Sequence, residues 1–222
     1  MTRPLVIFGA GSLARLAHYY ATHEMGLRVL GFVVDADRKN IDTCCGLPVF
    51  SWEACPAQHP PASTSMYVAV GYREMRQRQR LFDRAKAAGY GLQNIVSTSG
   101  FLAATVQMGE NNFIMPGAVV EPGVRLGNNN VVWSNTTLCH DTVVGHHNFF
   151  ASNVTVGGEV TVGDRCFFGF TSTVVHQRRV GDDVLLAAQS LLLDDGEPLG
   201  WYQGVPAKRV ESISEQTGVC VK

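Results

Sequence analysis

Apolar residues occupy every sixth position of this chain from Met108 to Leu192, without interruption. Neither an α-helix, with a period of about 3.6 residues, nor an ordinary β-strand, with a period of about 2, produces such a repeat. A parallel β-helix does, because each short strand and its corner form one side of a prism. The fifteen positions are Met108, Ile114, Val120, Leu126, Val132, Leu138, Val144, Phe150, Val156, Val162, Phe168, Val174, Val180, Leu186 and Leu192.

A second period lies within the first, because glycine recurs every eighteen residues, or three hexads. If three hexads make one turn, these glycines stack along one edge of the prism, where a backbone without Cβ is useful. The position two residues before each repeat position is mostly small, which suits a tight corner. The two periods together predict a parallel β-helix over residues 95–196. The spaced glycines are Gly109, Gly127, Gly145, Gly163 and Gly181.

Strand-like and helix-like segments alternate before the repeat, which predicts a small parallel α/β sheet in residues 1–94. The stretch from Cys55 to Ser65 contains three prolines and is typical of a surface loop. Residues 197–222 are expected to form a tail that packs on the last coil or on a neighbouring molecule. The predicted strands are residues 4–10, 27–34 and 66–70, and the predicted helices are residues 12–25 and 73–88.

Bulk composition gives no indication of several classes of partner. The net charge of −1 gives no reason to expect nucleic acid or an anionic membrane surface. No apolar run approaches the length of about 18 residues that a transmembrane helix needs, and the N-terminal apolar run is too short for a signal peptide. The six cysteines show no CxxC spacing and are expected to be reduced thiols. We therefore expect a cytoplasmic protein.

A glycine-rich turn follows the first predicted strand, where residues 9–14 read Gly-Ala-Gly-Ser-Leu-Ala. Such a turn lets backbone N–H groups and a helix N-terminus approach a phosphate. Asp35, at the end of the second strand, suits a ribose hydroxyl or a base edge. A tight turn without any ligand is the alternative. Because only about 90 residues precede the repeat, half the length of a dinucleotide fold, a mononucleotide or nucleotide sugar is favoured over NAD.

His140 stands apart from the other histidines because it lies at a predicted corner and is followed directly by Asp141. A carboxylate can hold an imidazole in one tautomer and make it a better base near neutral pH. A surface pair with a structural role remains the alternative. Eighteen residues further lies Gly158, and eighteen beyond that His176, so the three stack in one column. Gly158 leaves space and a backbone N–H beside the imidazole, where an oxyanion can be stabilised.

The other histidines carry weaker signals. His146 and His147 follow Gly145 at another corner and are expected to be solvated. The remaining three, in the N-terminal region, are expected to lie at the surface or to pack against helices; they are His18, His23 and His59.

The chain resembles the left-handed β-helix sugar acyltransferases that carry a small N-terminal α/β domain. These include bacterial sialic-acid O-acetyltransferases and nucleotide-amino-sugar N-acetyltransferases. The resemblance covers residues 4–210. It rests on the uninterrupted hexads and on Gly9-Ala10-Gly11, Gly31-Phe32 through Asp35, Val70-Gly71 with Arg76, Cys139-His140-Asp141 and Gly204-Val205-Pro206-Ala207-Lys208.

The resemblance implies acetyl-CoA-dependent transfer, without a metal, in a homotrimer with sites between neighbouring subunits, serving cell-surface polysaccharide biosynthesis. His140 would be the general base, Asp141 would orient it, and the N–H of Gly158 would face the thioester oxygen. The implied binding residues are Gly11, Ser12 and Leu13 for the phosphates of a nucleotide sugar, Asp35 and Gly71 for its nucleoside, and Phe149, Phe170 and Ala188 for CoA.

Two positions depart from the pattern of this family. Relatives that act on nucleotide amino sugars often carry histidine where this chain has Leu13, which weakens the case for a diphosphate there. A second family histidine, nine residues after the catalytic one, is replaced by Phe149, whose ring can still pack on the pantetheine arm. The substrate can therefore differ from the familiar bacillosamine-type sugar.

The leading hypothesis is N-acetylation of a nucleotide-linked 4-amino-deoxysugar, and O-acetylation of a sialic-acid-type sugar is the first alternative. A zinc hydrase on the same scaffold would need three suitably spaced histidines, but five residues after His176 the chain has Gly181. An NAD-dependent oxidoreductase lacks the second half of the nucleotide fold. A scaffold without activity is the last alternative.

Overall fold

The computed structural model describes residues 3–221. Its N-terminal sheet has six strands in the order β3-β4-β2-β1-β5-β6, and all neighbours are parallel except β3 and β4. The strands are β1 (Leu5–Phe8), β2 (Val29–Val34), β3 (Thr43–Cys44), β4 (Leu47–Ser51), β5 (Ser65–Val68) and β6 (Gly91–Leu92). The parallel α/β sheet is confirmed, but β3, β4 and β6 were not predicted from the sequence.

Three α-helices accompany this sheet: α1 (Ser12–Tyr19), α2 (Cys55–Gln58) and α3 (Met75–Ala87). α1 continues as a π-helical turn over Tyr20–Glu24, and Ala36–Arg38 forms a short 3-10 turn. The prediction of a loop over residues 55–65 is wrong at its start, because Cys55–Gln58 form α2. Pro56 lies in the first turn of this helix, where its missing N–H is tolerated.

The repeat region forms a left-handed parallel β-helix in which each short strand pairs with the strand eighteen residues further on. Thr137 pairs with Thr155, and Thr155 pairs with Thr173. The eighteen-residue turn predicted from the glycine spacing is therefore confirmed. The coil strands form three faces, which we number in the order in which the chain passes through them.

Face 1 contains Ile95–Val96, Phe113–Ile114, Val131–Val132, Phe149–Phe150, Phe167–Phe168, Leu185–Leu186, Gly200–Gly204 and Ala207–Ser212. Face 2 contains Phe101–Leu102, Val119–Val120, Thr137–Leu138, Thr155–Val156, Thr173–Val174 and Leu191–Leu192. Face 3 contains Gln107–Met108, Arg125–Leu126, Val143–Val144, Thr161–Val162 and Arg179–Val180.

A corner follows each face, and in the coils before residue 190 its last residue has a left-handed backbone, with φ of 59° at Asn135, 59° at Asp141 and 57° at Asn129. This conformation is rare except for glycine, asparagine and aspartate, which explains why those residues recur there. The first corner comprises residues 115–117, 133–135, 151–153, 169–171 and 187–189. The second comprises residues 121–123, 139–141, 157–159, 175–177 and 193–195, and the third residues 109–111, 127–129, 145–147, 163–165 and 181–183.

The hexad residues fill the interior of the prism, where the rings of Phe150 and Phe168 stack with centroids 4.6 Å apart. The outer side of face 1 packs against the N-terminal sheet, and the ring centroids of Tyr67 and Phe113 lie 5.9 Å apart. The third corner faces α3, and Asp183 accepts a 3.1 Å ion-paired hydrogen bond from Arg76. The two domains therefore share a core.

The residues after the last coil do two things. Gly200–Gly204 adds a parallel strand to face 1, and Ala207–Ser212 pairs with it antiparallel. The chain then returns to the N-terminal domain, where the N–H of Val221 donates to the carbonyl of Arg73 at 2.9 Å. Within residues 3–221, none of the helices combines the length and apolarity that a membrane crossing requires.

Candidate active site

His140 and Asp141 form a hydrogen-bonded pair at the second corner, with His140 Nδ1 3.0 Å from Asp141 Oδ2. Neighbouring side chains can meet here because the left-handed backbone of Asp141 breaks the alternation of the strand. Gly123 lies below Asp141, and a Cβ on Gly123 would come within 2.3 Å of the carboxylate. The corner therefore has room for this pair only because residue 123 is glycine.

Three nearby carboxylates favour the protonated form of this imidazole. The hydrogen bond to Asp141 raises the pKa of His140 above its usual 6.5, against a smaller opposing effect of desolvation, and the charges of Asp141, Glu121 and Glu159 raise it further. Because the carboxylate accepts the Nδ1 proton, Nε2 of the neutral ring is left as the basic nitrogen. Glu121 also accepts a 2.7 Å hydrogen bond from the backbone N–H of His140.

Glu121 was not predicted as part of this site. It lies on the second corner one coil before His140, eighteen residues before Cys139, so the eighteen-residue spacing of the corners was the signal that would have found it. Its hydrogen bond fixes the backbone of His140, while its charge acts on the ring.

Gly158 lies next to the His140 ring in the following coil, as the column predicted. A Cβ on Gly158 would lie 2.6 Å from Nε2, so any side chain at this position would occupy the space beside the basic nitrogen. No acceptor among residues 3–221 takes the N–H of Gly158. His176 lies one coil further along, where Gln177 donates to the carbonyl of Gly158 at 2.9 Å. The basic nitrogen of His140 and the free backbone N–H of Gly158 therefore lie side by side on the second corner. We call the surface formed by these two residues the ledge.

A groove of about 750 Å³ runs along the outer side of face 1 and the first corner. Phe149, Phe170 and Ala188, the three residues expected to contact CoA, all line it. The opposite wall is formed by Tyr72 and by the returning C-terminal residues 211–214, 217, 218, 220 and 221. This volume is typical of small-molecule sites, and the lining is mainly apolar.

The groove and His140 lie on different edges of the prism. The groove follows face 1 and the first corner, whereas His140 and Gly158 lie on the second corner and contribute nothing to the groove lining. One chain therefore does not bring the candidate base to the candidate acyl-donor groove.

A second candidate region lies at the carboxyl edge of the N-terminal sheet, where β1, β2 and β5 end side by side. Gly11 is the N-cap residue of α1 and has no side chain that could accept hydrogen bonds from the first turn of the helix. The exposed Gly71 follows β5. Gly9, with φ of 120°, must be glycine because a Cβ there would lie 2.7 Å from the carbonyl oxygen of Ala69. Parallel strands bring these loops to one edge, which is where α/β sheets bind ligands.

Two predicted residues at this edge have additional structural contacts. The side chain of Leu13 is 6% exposed and packs into the core, so only its backbone can face a phosphate, whereas Ser12 is exposed. Asp35 forms an ion pair with Arg84, whose guanidinium carbon lies 4.3 Å from the centroid of the Trp52 ring. Arg84 was not predicted, because its position on α3 carries no local signal of this contact.

The prediction that His147 is solvated is wrong. His147 is 5% exposed, packs edge-on against Phe82, and its Nδ1 accepts a 2.9 Å hydrogen bond from Asn129. Burial, together with the nearby charge of Arg78, lowers the pKa of His147 to about 3. The third corner is covered by α3, whereas His146, one residue earlier, is exposed.

Among residues 3–221, no three histidine, cysteine or acidic side chains lie together in a way that could hold a metal ion. His140 and His176 share a column but lie two coils apart.

Comparison with known proteins places this geometry in context. The family described as bacterial transferase hexapeptide (six repeats) matches residues 105–140. No curated protein matches the chain at a significant level of sequence similarity. Among solved structures, PerB from Caulobacter crescentus, in complex with CoA and GDP-perosamine, is 25% identical, with a TM-score of 0.85 over 95% of this chain and 99% of PerB. The chain has the hexapeptide-transferase fold of the sugar N-acetyltransferases.

Two further structures share this sugar N-acetyltransferase fold. The acetyltransferase domain of PglB from Neisseria gonorrhoeae is 22% identical, with a TM-score of 0.84 over 94% of this chain and 100% of the domain. WeeI from Acinetobacter baumannii is 16% identical, with a TM-score of 0.83 over 94% of this chain and 100% of its own. Because these matches span nearly the whole chain, the α/β domain and the β-helix are shared together.

Proposed function

We propose that this chain transfers the acetyl group of acetyl-CoA to the amino group of a nucleotide-linked 4-amino-deoxysugar, with His140 as general base. The observation that carries the proposal is the ledge on the second corner. There, the ring of His140 is held by Asp141 at 3.0 Å and faces the open position of Gly158. PerB, similar over nearly its whole length, is bound to CoA and GDP-perosamine, which supports this substrate class.

The chemistry requires only groups of this chain and the two substrates. The sugar amine attacks the thioester carbonyl, a C–N bond forms, and the carbonyl electron pair moves to oxygen. Nε2 of His140 takes the proton that the amine sheds, and the N–H of Gly158 donates to the oxyanion. The oxyanion collapses, the C–S bond breaks, and the proton passes to sulfur as CoA leaves. No covalent bond to the protein is formed.

The two substrates are assigned to separate regions. The phosphates of the nucleotide sugar bind at the backbone of Gly11, Ser12 and Leu13, because a helix N-terminus offers free N–H groups to an anion. Asp35 and Gly71 contact the nucleoside from the neighbouring strand ends. Acetyl-CoA binds in the groove, and the residues assigned to it are Phe149, Phe170 and Ala188.

We further propose that the active unit is a homotrimer, in which the groove of one subunit meets the second corner of the next. The separation of His140 from the groove within one chain supports this arrangement.

Mixing of two inactive variants tests whether the sites are shared between subunits. His140→Ala lacks the base, and Ala188→Trp fills the groove, so each variant alone is inactive. If sites form between subunits, an equal mixture after co-refolding recovers about a quarter of wild-type activity, because that share of interfaces joins two intact halves. Recovery of no activity contradicts shared sites.

The release of free thiol from acetyl-CoA tests the proposed reaction, with UDP-, GDP- and dTDP-linked 4-amino-deoxysugars and a free sialic acid as acceptors. We expect thiol release with one of the amino sugars and its loss in His140→Ala. His146→Ala, which removes an exposed corner histidine away from the ledge, is the matched control and should keep the wild-type rate. Release with sialic acid alone would establish O-acetylation instead, and a wild-type rate in His140→Ala would exclude the proposed base.

A further inference from the structure

Arg78 on α3 is the largest fully buried side chain of the described residues, with 1% of its surface exposed. Its Nη2 donates to the backbone carbonyl of Asn129 at 2.6 Å and lies 3.4 Å from the side-chain oxygen of the same residue. Its Nη1 donates to the carbonyl of Val70. Within residues 3–221, no carboxylate lies within ion-pair distance of this guanidinium.

The retention of a buried cation with only carbonyl partners needs a reason beyond stability, because its desolvation is costly. The two carbonyls belong to different domains. Val70 ends the segment after β5, and Asn129 belongs to the third corner of the β-helix. A guanidinium reaches both because its N–H groups form a rigid planar fork, which neither lysine nor methionine reproduces.

The segment that Arg78 anchors, residues 71–75, borders both candidate substrate regions. Gly71 is exposed at the carboxyl edge of the sheet, with open space where a Cβ would stand. The ring of Tyr72 packs on Phe149 and Phe167, with centroids 4.9 and 5.6 Å apart, and lines the groove. The far end is held by the C-terminal return, because the N–H of Met75 donates to the carbonyl of Val219 at 3.1 Å.

We propose that Arg78 is a positioning residue that holds residues 71–75 as one wall shared by the nucleotide-sugar edge and the acyl-CoA groove. The inference rests on the proposed function, which assigns those two regions to the two substrates. It makes Arg78 a determinant of affinity for both substrates, although its buried side chain touches neither.

The sheet itself stays attached to the β-helix when Arg78 is replaced. Asn111 on the third corner accepts a 2.7 Å hydrogen bond from the N–H of Val68 and donates to the carbonyl of Val68 at 3.1 Å. The amide of Asn111 also donates to the side chain of Asn129 at 2.8 Å. Replacement of Arg78 therefore frees the segment beyond Val70, while the contact through Asn111 remains.

Affinity measurements by calorimetry test the inference without requiring turnover, with CoA and with GDP and UDP as probes. In Arg78→Lys, we expect the Kd for CoA and for the nucleotide to rise about tenfold each, because a charge-assisted hydrogen bond is lost at the shared wall. Two further variants each alter only one of the two substrate regions. Tyr72→Ala weakens only CoA, and Gly71→Ala weakens only the nucleotide. Arg80→Met, which removes an exposed arginine of the same helix, leaves both affinities unchanged.

Steady-state kinetics distinguishes a positioning role of Arg78 from a general loss of active protein. We expect Arg78→Lys to raise both KM values and to leave kcat within about threefold, because the His140 ledge is on another corner. Arg78→Met, which removes the charge, gives a second variant if the lysine protein does not fold. Unchanged Kd values for both probes in a folded Arg78 variant would overturn the inference. The proposed function fails separately, if the wild-type protein binds CoA and nucleotide but releases no thiol with any acceptor.

Discussion

The imidazole of His140 lies directly over the open position of Gly158, where a Cβ would stand 2.6 Å from Nε2. Strand pairing across eighteen residues creates this contact, because it places the corner of one coil on the corner of the next. A glycine is therefore required here by the neighbouring ring, and the same feature leaves the backbone N–H beside the base.

Gly158→Ala should reduce kcat/KM by about 10²- to 10³-fold, because the new methyl group blocks Nε2 and displaces the donor for the oxyanion. Thiol release from acetyl-CoA under steady-state conditions measures the effect. Gly196→Ala is the matched control, since its Cβ would meet only ordinary contacts at 3.5 Å or more. Equal activity of the two variants would show that the ledge has no catalytic role.

The pH profile should show that His140 acts in its neutral form. Its pKa lies above 6.5, mainly because of the hydrogen bond to Asp141, so kcat/KM should fall on the acidic side with a midpoint above pH 6.5. Asp141→Asn removes the negative charge, lowers the pKa of His140, and moves this midpoint to lower pH. Glu159→Gln, which removes only a more distant charge, should produce a smaller shift in the same direction. A midpoint that does not respond to Asp141→Asn would assign the acidic limb to another group.

Acid should destabilise the protein partly through His147. Its pKa is about 3 in the folded protein and about 6.5 when unfolded, so between these values the unfolded chain binds one more proton. The free energy of unfolding therefore decreases as the pH falls below 6.5, by up to about 1.4 kcal/mol per pH unit from this group. The contribution of His147 is fully present above pH 6.5 and is lost progressively between pH 6.5 and about pH 3.

Denaturant unfolding at pH 5 and pH 7 measures this contribution. We expect His147→Gln to reduce the pH dependence by about one proton relative to the wild type. Phe82→Leu, which disturbs the ring packed on His147 without removing a titrating group, should lower stability by a similar amount at both pH values. An unchanged slope in His147→Gln would mean that the histidine is charged in the folded protein.

Gly11→Ala probes the nucleotide region without disturbing the fold. Gly11 has φ of −81°, and its Cβ would have no neighbour within 4 Å, so alanine fits the backbone at a cost below about 1 kcal/mol for the helix cap. The added methyl group meets only a bound ligand. We expect the KM for the nucleotide sugar to rise about tenfold and the KM for acetyl-CoA to stay constant. Gly91→Ala, whose Cβ also points into open space, is the control. Equal KM values in the two variants would show that this loop does not bind the phosphates.

Much of the fold could be predicted because its contacts repeat at fixed intervals along the chain. Each coil packs on the coils before and after it, so a period of eighteen residues is enough to place Gly158 beside His140. The strands at residues 43–44 and 47–51 were missed because they are short and are joined by a turn at Cys45, which has φ of 50°. The contacts of these two strands do not recur at a fixed interval, whereas the contacts of the coils do and could therefore be predicted.

The candidate site was predicted less evenly. Gly11, Asp35 and Gly71 follow strand ends, so the parallel sheet brings their loops to one edge. Arg84 and Arg78 carry no local signal, because their partners lie 49 and 51 residues away in sequence, at Asp35 and Asn129. His147 was misjudged for the same reason, since its burial depends on which corner α3 covers.

Periodicity in the chain was sufficient to specify the prism, its column of corner residues and the pairing of base with glycine, because coil-to-coil contacts are set by short-range spacing. Docking of the α/β domain onto face 1 and the third corner was not encoded in any such period. It depends on the complementarity of two surfaces that are distant in sequence, and their packing alone buries Arg78 and His147 and closes one wall of the groove with the C-terminal return.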